Sequence, residues 1–378
     1  MACIRWIIRP TKSAPKGKCR IFIYRNKNKY QSELFRGTER EANRRAATLE
    51  HKKTEGTLIE PSRLTVGGYL DQWLGEQSAA SRTLERWGEL INQHLKPKFG
   101  DTPLAKLDTQ TIQTYYLNAQ RLDGKGKLSN RTVLHIHRVF RQALKRAVLL
   151  RKLAYDPTDL VKPPKPVKPE MKVLDEKELM SLLKGFEGNR LYAPVVVAAT
   201  TALRRGELLA LRWKDIKADT LSVTRSLEET KAGGLVFKNP KTESSIRPID
   251  LLPLTVETLR RHAVEQKKAR LPGPLWKNDE GLVFPTLDGS RWRPSSFTSA
   301  WVDRVRAIGF TGMQLKDLRH THISQLLRAG VNPKLVAARA GHASVKMTMD
   351  VYAKFLPADQ KRAALTLEAV LQAAALPG

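Results

Sequence analysis

A multidomain chain, mainly α-helical with small β-sheets, is what three features of the sequence predict. Its 378 residues exceed one ordinary domain. The spacing of apolar residues changes along the chain, from strand-like alternation to long helical periods and then to a mixture of both. Between the second and third regimes stands VKPPKPVKPEMK, four prolines and four lysines without an apolar period, which reads as an extended connector.

Residues 1–60 carry the short β-rich runs IRWII, RIFIY and YQSELF, the last two joined by the turn-like RNKNK. The helix TEREANRRAATLEHKK follows, with Thr38 and Glu41 spaced as a capping box. This β-β-β-α module holds 15 Lys+Arg against 6 Asp+Glu, a net +9. Such a small basic sheet suits a DNA groove; a basic lobe facing only water is the alternative.

Residues 63–162 read as a helical bundle. LTVGGYLDQWLGE, RTLERWGELINQHLKPKFG, DTQTIQTYYLNAQRL and SNRTVLHIHRVFRQALKRAVLLRKL are amphipathic and separated by short polar loops. Arg131, Arg138, Arg141, Lys145 and Arg146 recur along the last of these and are candidate DNA contacts.

Residues 170–378 mix both periods. The helix LDEKELMSLLKGF opens with Asp175 and Glu178 in capping-box positions, and the apolar run YAPVVVAATTALRRGELLALRW follows. Arg204 and Glu207 stand three apart, so a helix makes them neighbours. DTLSVTRSL and SIRPIDLLPL alternate as strands do, and GGLVFKNPKTES between them contains the turn that presents Lys241. LKDLRHTHISQLLRAG is an amphipathic helix carrying Arg319. In NPKLVAARAGH, Asn332 is an N-cap, Pro333 the first helical residue and Gly341 the position past the end. In GHASVKMTMDVY, Ser344 caps a further helix, and Val345, Met349 and Tyr352 are spaced to share its buried stripe.

Charge narrows the partners. With 67 Lys+Arg against 37 Asp+Glu the formal net charge is +30, and a chain this basic seeks a polyanion, usually nucleic acid. No apolar run reaches the ~18 residues of a spanning helix, and no signal-peptide pattern opens the sequence. The expectation is a protein of the cytoplasm, associated with the nucleoid of a host cell. Cys3 and Cys19 have no metal-ligand spacing around them and suggest neither a disulfide framework nor zinc.

Four stretches in this order resemble the tyrosine recombinases, the phage-integrase family. TALRRGELLALRW is similar to the family's first arginine box, PKTESSIRPIDL to its catalytic-lysine hairpin, LKDLRHTHISQLLRAG to its second arginine box, and GHASVKMTMDVY to its histidine and nucleophile box. The resemblance covers about 170–356. It implies a mixed α+β catalytic domain over 170–378, a helical core-binding domain over 63–162 and an arm-type DNA-binding domain over 1–60, as in the larger phage integrases. It further implies Arg204, Lys241, Lys316, Arg319 and His342 as site residues, Tyr352 as nucleophile and Glu207 as a supporting carboxylate. The function implied is site-specific recombination through a 3′-phosphotyrosine, integrating and excising phage or mobile-element DNA. No metal or cofactor is implied. The partners would be double-stranded DNA with core and arm attachment sites, further copies in a tetramer, and accessory proteins that bend DNA or set direction.

One position departs from the family. The second arginine box usually reads His-x-x-Arg, whereas Lys316 stands three residues before Arg319 here. A lysine, with an ordinary pKa of about 10.4, accepts a proton from tyrosine only where burial and neighbouring cations lower that value; Lys316 reads as a phosphate contact whose charge favours the tyrosinate, a role in proton transfer being the alternative. His320 and His322 are out of register and read as core or surface residues. The tail QKRAALTLEAVLQAAAL puts Leu367, Val370, Leu371 and Ala374 on one stripe; family resemblance implies an exchange helix docking on the next protomer, and packing on its own domain is the alternative. Two other classes share part of this pattern: a type IB topoisomerase-like relaxase, and a DNA-binding regulator without catalysis.

Overall fold

The computed structural model describes residues 2–26, 29–54, 63–119, 126–167, 171–239, 246–270, 276–277 and 280–352, with positions 365, 367–368 and 371–372 of the tail. The chain divides into two compact units, Met1–Lys168 and Pro169–Gly378. It is mainly helical, with small antiparallel sheets. Among the described residues no helix is long and apolar enough to cross a membrane.

Strands β1 (Ala2–Ile8), β2 (Gly17–Asn26) and β3 (Lys29–Gly37) form an antiparallel meander followed by helix α1 (Glu39–Thr54). Alternation along β2 turns Cys19, Ile21 and Ile23 inward, where Ala42, Ala46 and Leu49 of α1 cover them. The α1 start is the expected capping box: the Glu41 carboxylate accepts the Thr38 amide at 2.8 Å and Thr38 Oγ1 accepts the Glu41 amide at 3.3 Å. On the open face Arg5 lies directly opposite Arg20, and both are exposed. Like charges facing across strands are unfavourable unless an anion joins them.

The helical part of the first unit contains α2 (Val66–Gly75), α3 (Ser81–Leu90), a π-helical stretch Ile91–Leu95, α4 (Lys96–Phe99), α5 (Thr109–Asn118) and α6 (Asn130–Leu149). Asp108 and Ser129 cap α5 and α6 by accepting amides three residues on. Helix α6 buries Val133, Ile136, Phe140, Ala143 and Leu144 against Tyr69, Trp73 and Phe99. The Tyr69 hydroxyl donates to the Ala143 carbonyl at 2.7 Å.

The second unit contains α7 (Glu176–Gly185), α8 (Tyr192–Thr201) and α9 (Arg205–Ala210), strands β4 (Ile216–Lys217), β5 (Thr220–Val223), β6 (Ser226–Thr230), β7 (Gly234–Lys238) and β8 (Arg247–Asp250), then α10 (Pro253–Arg270), α11 (Pro294–Ala307), α12 (Leu315–Arg328), α13 (Pro333–Ala340) and α14 (Val345–Tyr352). Helix α8 is buried along nearly its whole length, as its uninterrupted apolar sequence requires.

The stretch expected to contain the turn that presents Lys241 also holds strand β7: Leu227 lies opposite Phe237 in a β6–β7 hairpin, while β5 ends at Val223 and pairs with β8. Two expectations are corrected here. The end of SIRPIDLLPL is the start of α10, because Pro253 supplies a helical φ and needs no amide partner in the first turn. On α14, Val345 is exposed and Met349 only half-buried, whereas Thr348 is fully buried. Among the described side chains of α14 the one fully buried is therefore polar, and it meets His342 of the preceding turn. In the tail the described positions are helical, with Leu367 and Leu371 exposed; Val370 and Ala374 lie outside the described residues.

Candidate active site

The site grows from the end of α8. A helix leaves its last carbonyls without ladder partners, and here side chains from two other helices supply them. His322 Nδ1 meets the Ala199 carbonyl at 2.9 Å, Arg339 Nη2 donates to that of Thr200 at 3.0 Å, and Arg319 Nη1 donates to that of Ala202 at 2.5 Å. Cations at a helix C-terminus are favoured by the axial dipole. Ala202 itself adopts a left-handed φ of 57° and turns the chain sharply into Arg204.

Arg204 precedes the first turn of α9, and Glu207 reaches back to it. The carboxylate accepts the Arg204 amide at 2.9 Å and Nη1 at 2.7 Å, while Nη2 donates to the Gly341 carbonyl at 2.6 Å. The spacing of three residues thus produces the predicted pair, and Glu207 is buried at 7% exposure. A second guanidinium, not anticipated from the sequence, completes it. Arg247 on β8 donates from Nη2 at 3.1 Å to Oε2 of the same carboxylate, the oxygen that also accepts the Arg204 amide. Burial pushes the Glu207 carboxyl upward, but Arg247 and then Arg204 outweigh burial and hold it below the usual carboxylate range. The signal for Arg247 was present: it alternates in phase with Ile249, both residues being buried.

Gly341 ends α13 with a φ of 66°, a left-handed conformation suited to glycine. Asn332 caps the other end of this helix, with Pro333 in its first turn. The turn delivers His342, whose amide donates to the Ala337 carbonyl at 3.0 Å and whose Nδ1 lies 2.7 Å from Thr348 Oγ1. The ring is half-buried, and its pKa is pushed down to about 4 by burial first, then by Arg319, Arg204, Arg247 and His320. His342 is therefore neutral at pH 7, with guanidinium charge on several sides.

Arg204, Glu207, Arg319 and His342 are thus brought together. Lys316 is exposed one turn before Arg319 on α12. Tyr352 is the last residue of α14; the placement of its side chain, like all of Lys241, lies outside the described residues. His322 is half-buried, and its Nε2 accepts from Arg339 Nε at 3.2 Å while its Nδ1 meets the end of α8, a structural place between helices. On α6, Arg131, Arg138 and Lys145 are exposed at seven-residue intervals, whereas Arg141 pairs with Asp159 at 2.6 Å.

Residues 172–358 match the model of the phage integrase family, and residues 65–119 match that of the phage integrase N-terminal SAM-like domain. The chain belongs to the phage integrase family. Its relatives in that family include a tyrosine recombinase XerC-like protein of Caldanaerobacter subterraneus, 25% identical over 360 residues that take in 89% of this chain and 91% of the relative. An integrase of Mycobacterium phage FRAT1 is 26% identical over 76% of this chain and 83% of its own. An integrase of Streptomyces ambofaciens is 27% identical over 84% of this chain and 83% of its own. As a member of this family the chain is a tyrosine-type recombinase.

Solved integrases share the fold. The Tn1549 transposon integrase, solved with transposon right-end DNA, has a TM-score of 0.69 at 21% identity and covers 81% of this chain and all of its own. A lambda integrase tetramer bound to a Holliday junction has a TM-score of 0.56 at 16% identity, over 89% of this chain and 92% of its own.

Proposed function

We propose that this recombinase cuts and rejoins DNA strands at specific sites through a 3′-phosphotyrosine, and so integrates and excises phage or mobile-element DNA. The observation that carries this reading is the convergence of Arg204, Arg319 and His342 around the turn from α8 to α9, with Glu207 holding the first arginine.

A phosphodiester gains negative charge on its non-bridging oxygens as phosphorus becomes five-coordinate. Two guanidiniums fixed in advance by backbone carbonyls stabilise that charge more than they stabilise the ground state. His342, neutral, adds a hydrogen bond: with Nδ1 accepting from Thr348, Nε2 carries the ring hydrogen and donates it to a phosphate oxygen. Tyr352 gives its phenolic proton to water, its Oη attacks phosphorus as the P–O5′ bond breaks, and the tyrosine oxygen and phosphorus remain joined. Lys241 protonates the departing 5′ oxygen. Lys316 contacts phosphate, and its charge favours the tyrosinate. Attack by the 5′-hydroxyl of a partner strand releases Tyr352 and reseals the backbone.

The rest of the chain then has DNA to hold. Residues 170–378 form the catalytic domain, 63–162 grip the core site with Arg131, Arg138, Lys145 and, beside its ion pair, Arg141, and 1–60 bind distant arm sites through the open face of the sheet. Relatives named integrases, and likeness to integrases solved on DNA and as a tetramer, support double-stranded DNA as substrate and a homotetramer as the working form. In that form the C-terminal tail would serve as an exchange helix docked on the next protomer. Such a protein works on the nucleoid in the host cytoplasm, alongside proteins that bend DNA or set direction.

The deciding experiment incubates the protein with nicked duplexes carrying the ends of its element and resolves the products on denaturing gels. Wild type is expected to form a covalent adduct, and Tyr352→Phe to bind the same DNA without one. An adduct with Tyr352→Phe would reassign the nucleophile; relaxation of plasmids without exchange between two sites would favour a topoisomerase.

A further inference from the structure

The chemistry above has no task for Arg247, yet this residue is 5% exposed and bonds both Glu207 and the Arg339 carbonyl. Nη2 donates to Glu207 Oε2 at 3.1 Å, the oxygen that also accepts the Arg204 amide, and Nη1 lies a longer 3.4 Å from Oε1, the oxygen that accepts Arg204 Nη1. Nε donates to the Arg339 carbonyl at 2.7 Å, three residues before His342. The guanidinium also fills the space beside Gly341: a methyl group on that Cα would lie 2.6 Å from Nη1. Arg247 stands six residues after Lys241, at the first position of β8, so the same side chain anchors the strand that leaves the lysine segment.

Stability does not account for such a residue. Two buried charges lose more hydration than their attraction reliably returns, and apolar replacements for a buried ion pair are often neutral or better. What an apolar pair cannot do is fix a carboxylate and a carbonyl at once in one plane, as the guanidinium fork does. We infer that Arg247 is a positioning residue for strand cleavage: it joins Glu207 to the α13–Gly341 turn, and so sets Arg204 and His342 at the separation one phosphate needs. This rests on the recombinase reading. Its charge has a second effect, because Arg247 is among the cations that hold His342 neutral.

The test compares wild type, Arg247→Lys and Arg247→Met, each as the full chain, on nicked duplexes carrying the element's ends. DNA affinity, adduct rate and the pH dependence of that rate are measured separately. Misplacement of reacting groups by an ångström costs on the order of a hundredfold, and Arg247→Met is expected to lose about that much rate with DNA affinity unchanged. Removing one cation lets the His342 pKa rise, so the acid limb of its rate profile should move to higher pH. Arg247→Lys keeps the charge and should leave that limb in place. A single ammonium cannot hold both the carboxylate and the Arg339 carbonyl, so its rate should still fall well below wild type. A wild-type rate in either variant, or an unmoved acid limb in Arg247→Met, overturns the inference. If melting curves show that Arg247→Met does not fold, the Arg247→Lys rate decides alone. Wild type giving no adduct on this DNA would overturn the recombinase reading instead.

Discussion

Arg204 donates from Nη2 to the backbone carbonyl of Gly341 at 2.6 Å, closing a loop of 137 residues between the first arginine and the peptide that carries His342. The bond runs to a carbonyl, so no side chain at position 341 is required for it. Glycine is required for other reasons. Its φ is 66°, and its Cα faces the Arg247 guanidinium.

Gly341→Ala is therefore expected to cost more than a surface substitution. Left-handed backbone costs an L-residue about 1–2 kcal/mol, and the added methyl displaces Arg247 as well. Denaturant titration should show a loss of at least that size, and the adduct rate should fall with it. A variant as stable and as active as wild type would mean that the turn is loose and the Arg204 contact dispensable.

Lys316 allows a sharper test, since it is exposed and its removal leaves no cavity. As a phosphate contact, Lys316→Ala should slow adduct formation by about tenfold or more, the worth of one charge-assisted hydrogen bond. Lys316→His should recover much of that loss, by restoring the residue usual in the family. Single-turnover rates on nicked DNA check both; no loss in the alanine variant would make Lys316 an ordinary surface lysine.

Acid should loosen the catalytic unit. His322 Nδ1 donates to the Ala199 carbonyl and Nε2 accepts from Arg339, so the ring must be neutral; burial and then Arg339 push its pKa down to about 4. Unfolded histidine binds its proton near pH 6.5. Between those values the unfolded state holds more protons, so stability is complete above about 6.5 and declines as pH falls toward 4. His342, also near 4, adds to the same decline. Denaturant midpoints across this range should fall for wild type and fall less for His322→Gln, which does not titrate. Parallel curves would show that His322 is not part of the acid response.

The N-terminal module predicts a division of labour. A fragment beginning near residue 61 should still bind and cleave core DNA. It should lose affinity for full attachment sites and show a shallower salt dependence, since each phosphate contact removed lowers the slope by about one. Integration should suffer more than cleavage. Equal affinities, slopes and recombination yields for fragment and full chain, with and without flanking arms, would leave residues 1–60 a basic lobe with no arm to bind.

What the sequence alone determined is whatever depends on neighbours within a turn or two. The capping boxes at Thr38 and Asp175, the buried stripe of α6 and the Arg204–Glu207 pair follow from spacings of three, four or seven residues, and the Asn332 to Gly341 frame of α13 follows from the residue types at its two ends. The order of the four boxes was readable for the same reason, each being a short local pattern. Tertiary structure alone decided which of 67 basic side chains would be buried and to what end. Arg247 meets Glu207 across 40 residues, Arg339 meets His322 across 17, and Thr348 turns inward because His342 stands in the preceding turn. An arginine carries the same charge and reach wherever it stands in a sequence. Only a packed chain withdraws water from it and supplies the carboxylate and carbonyls that hold it, and those partners come from elements that no local period connects.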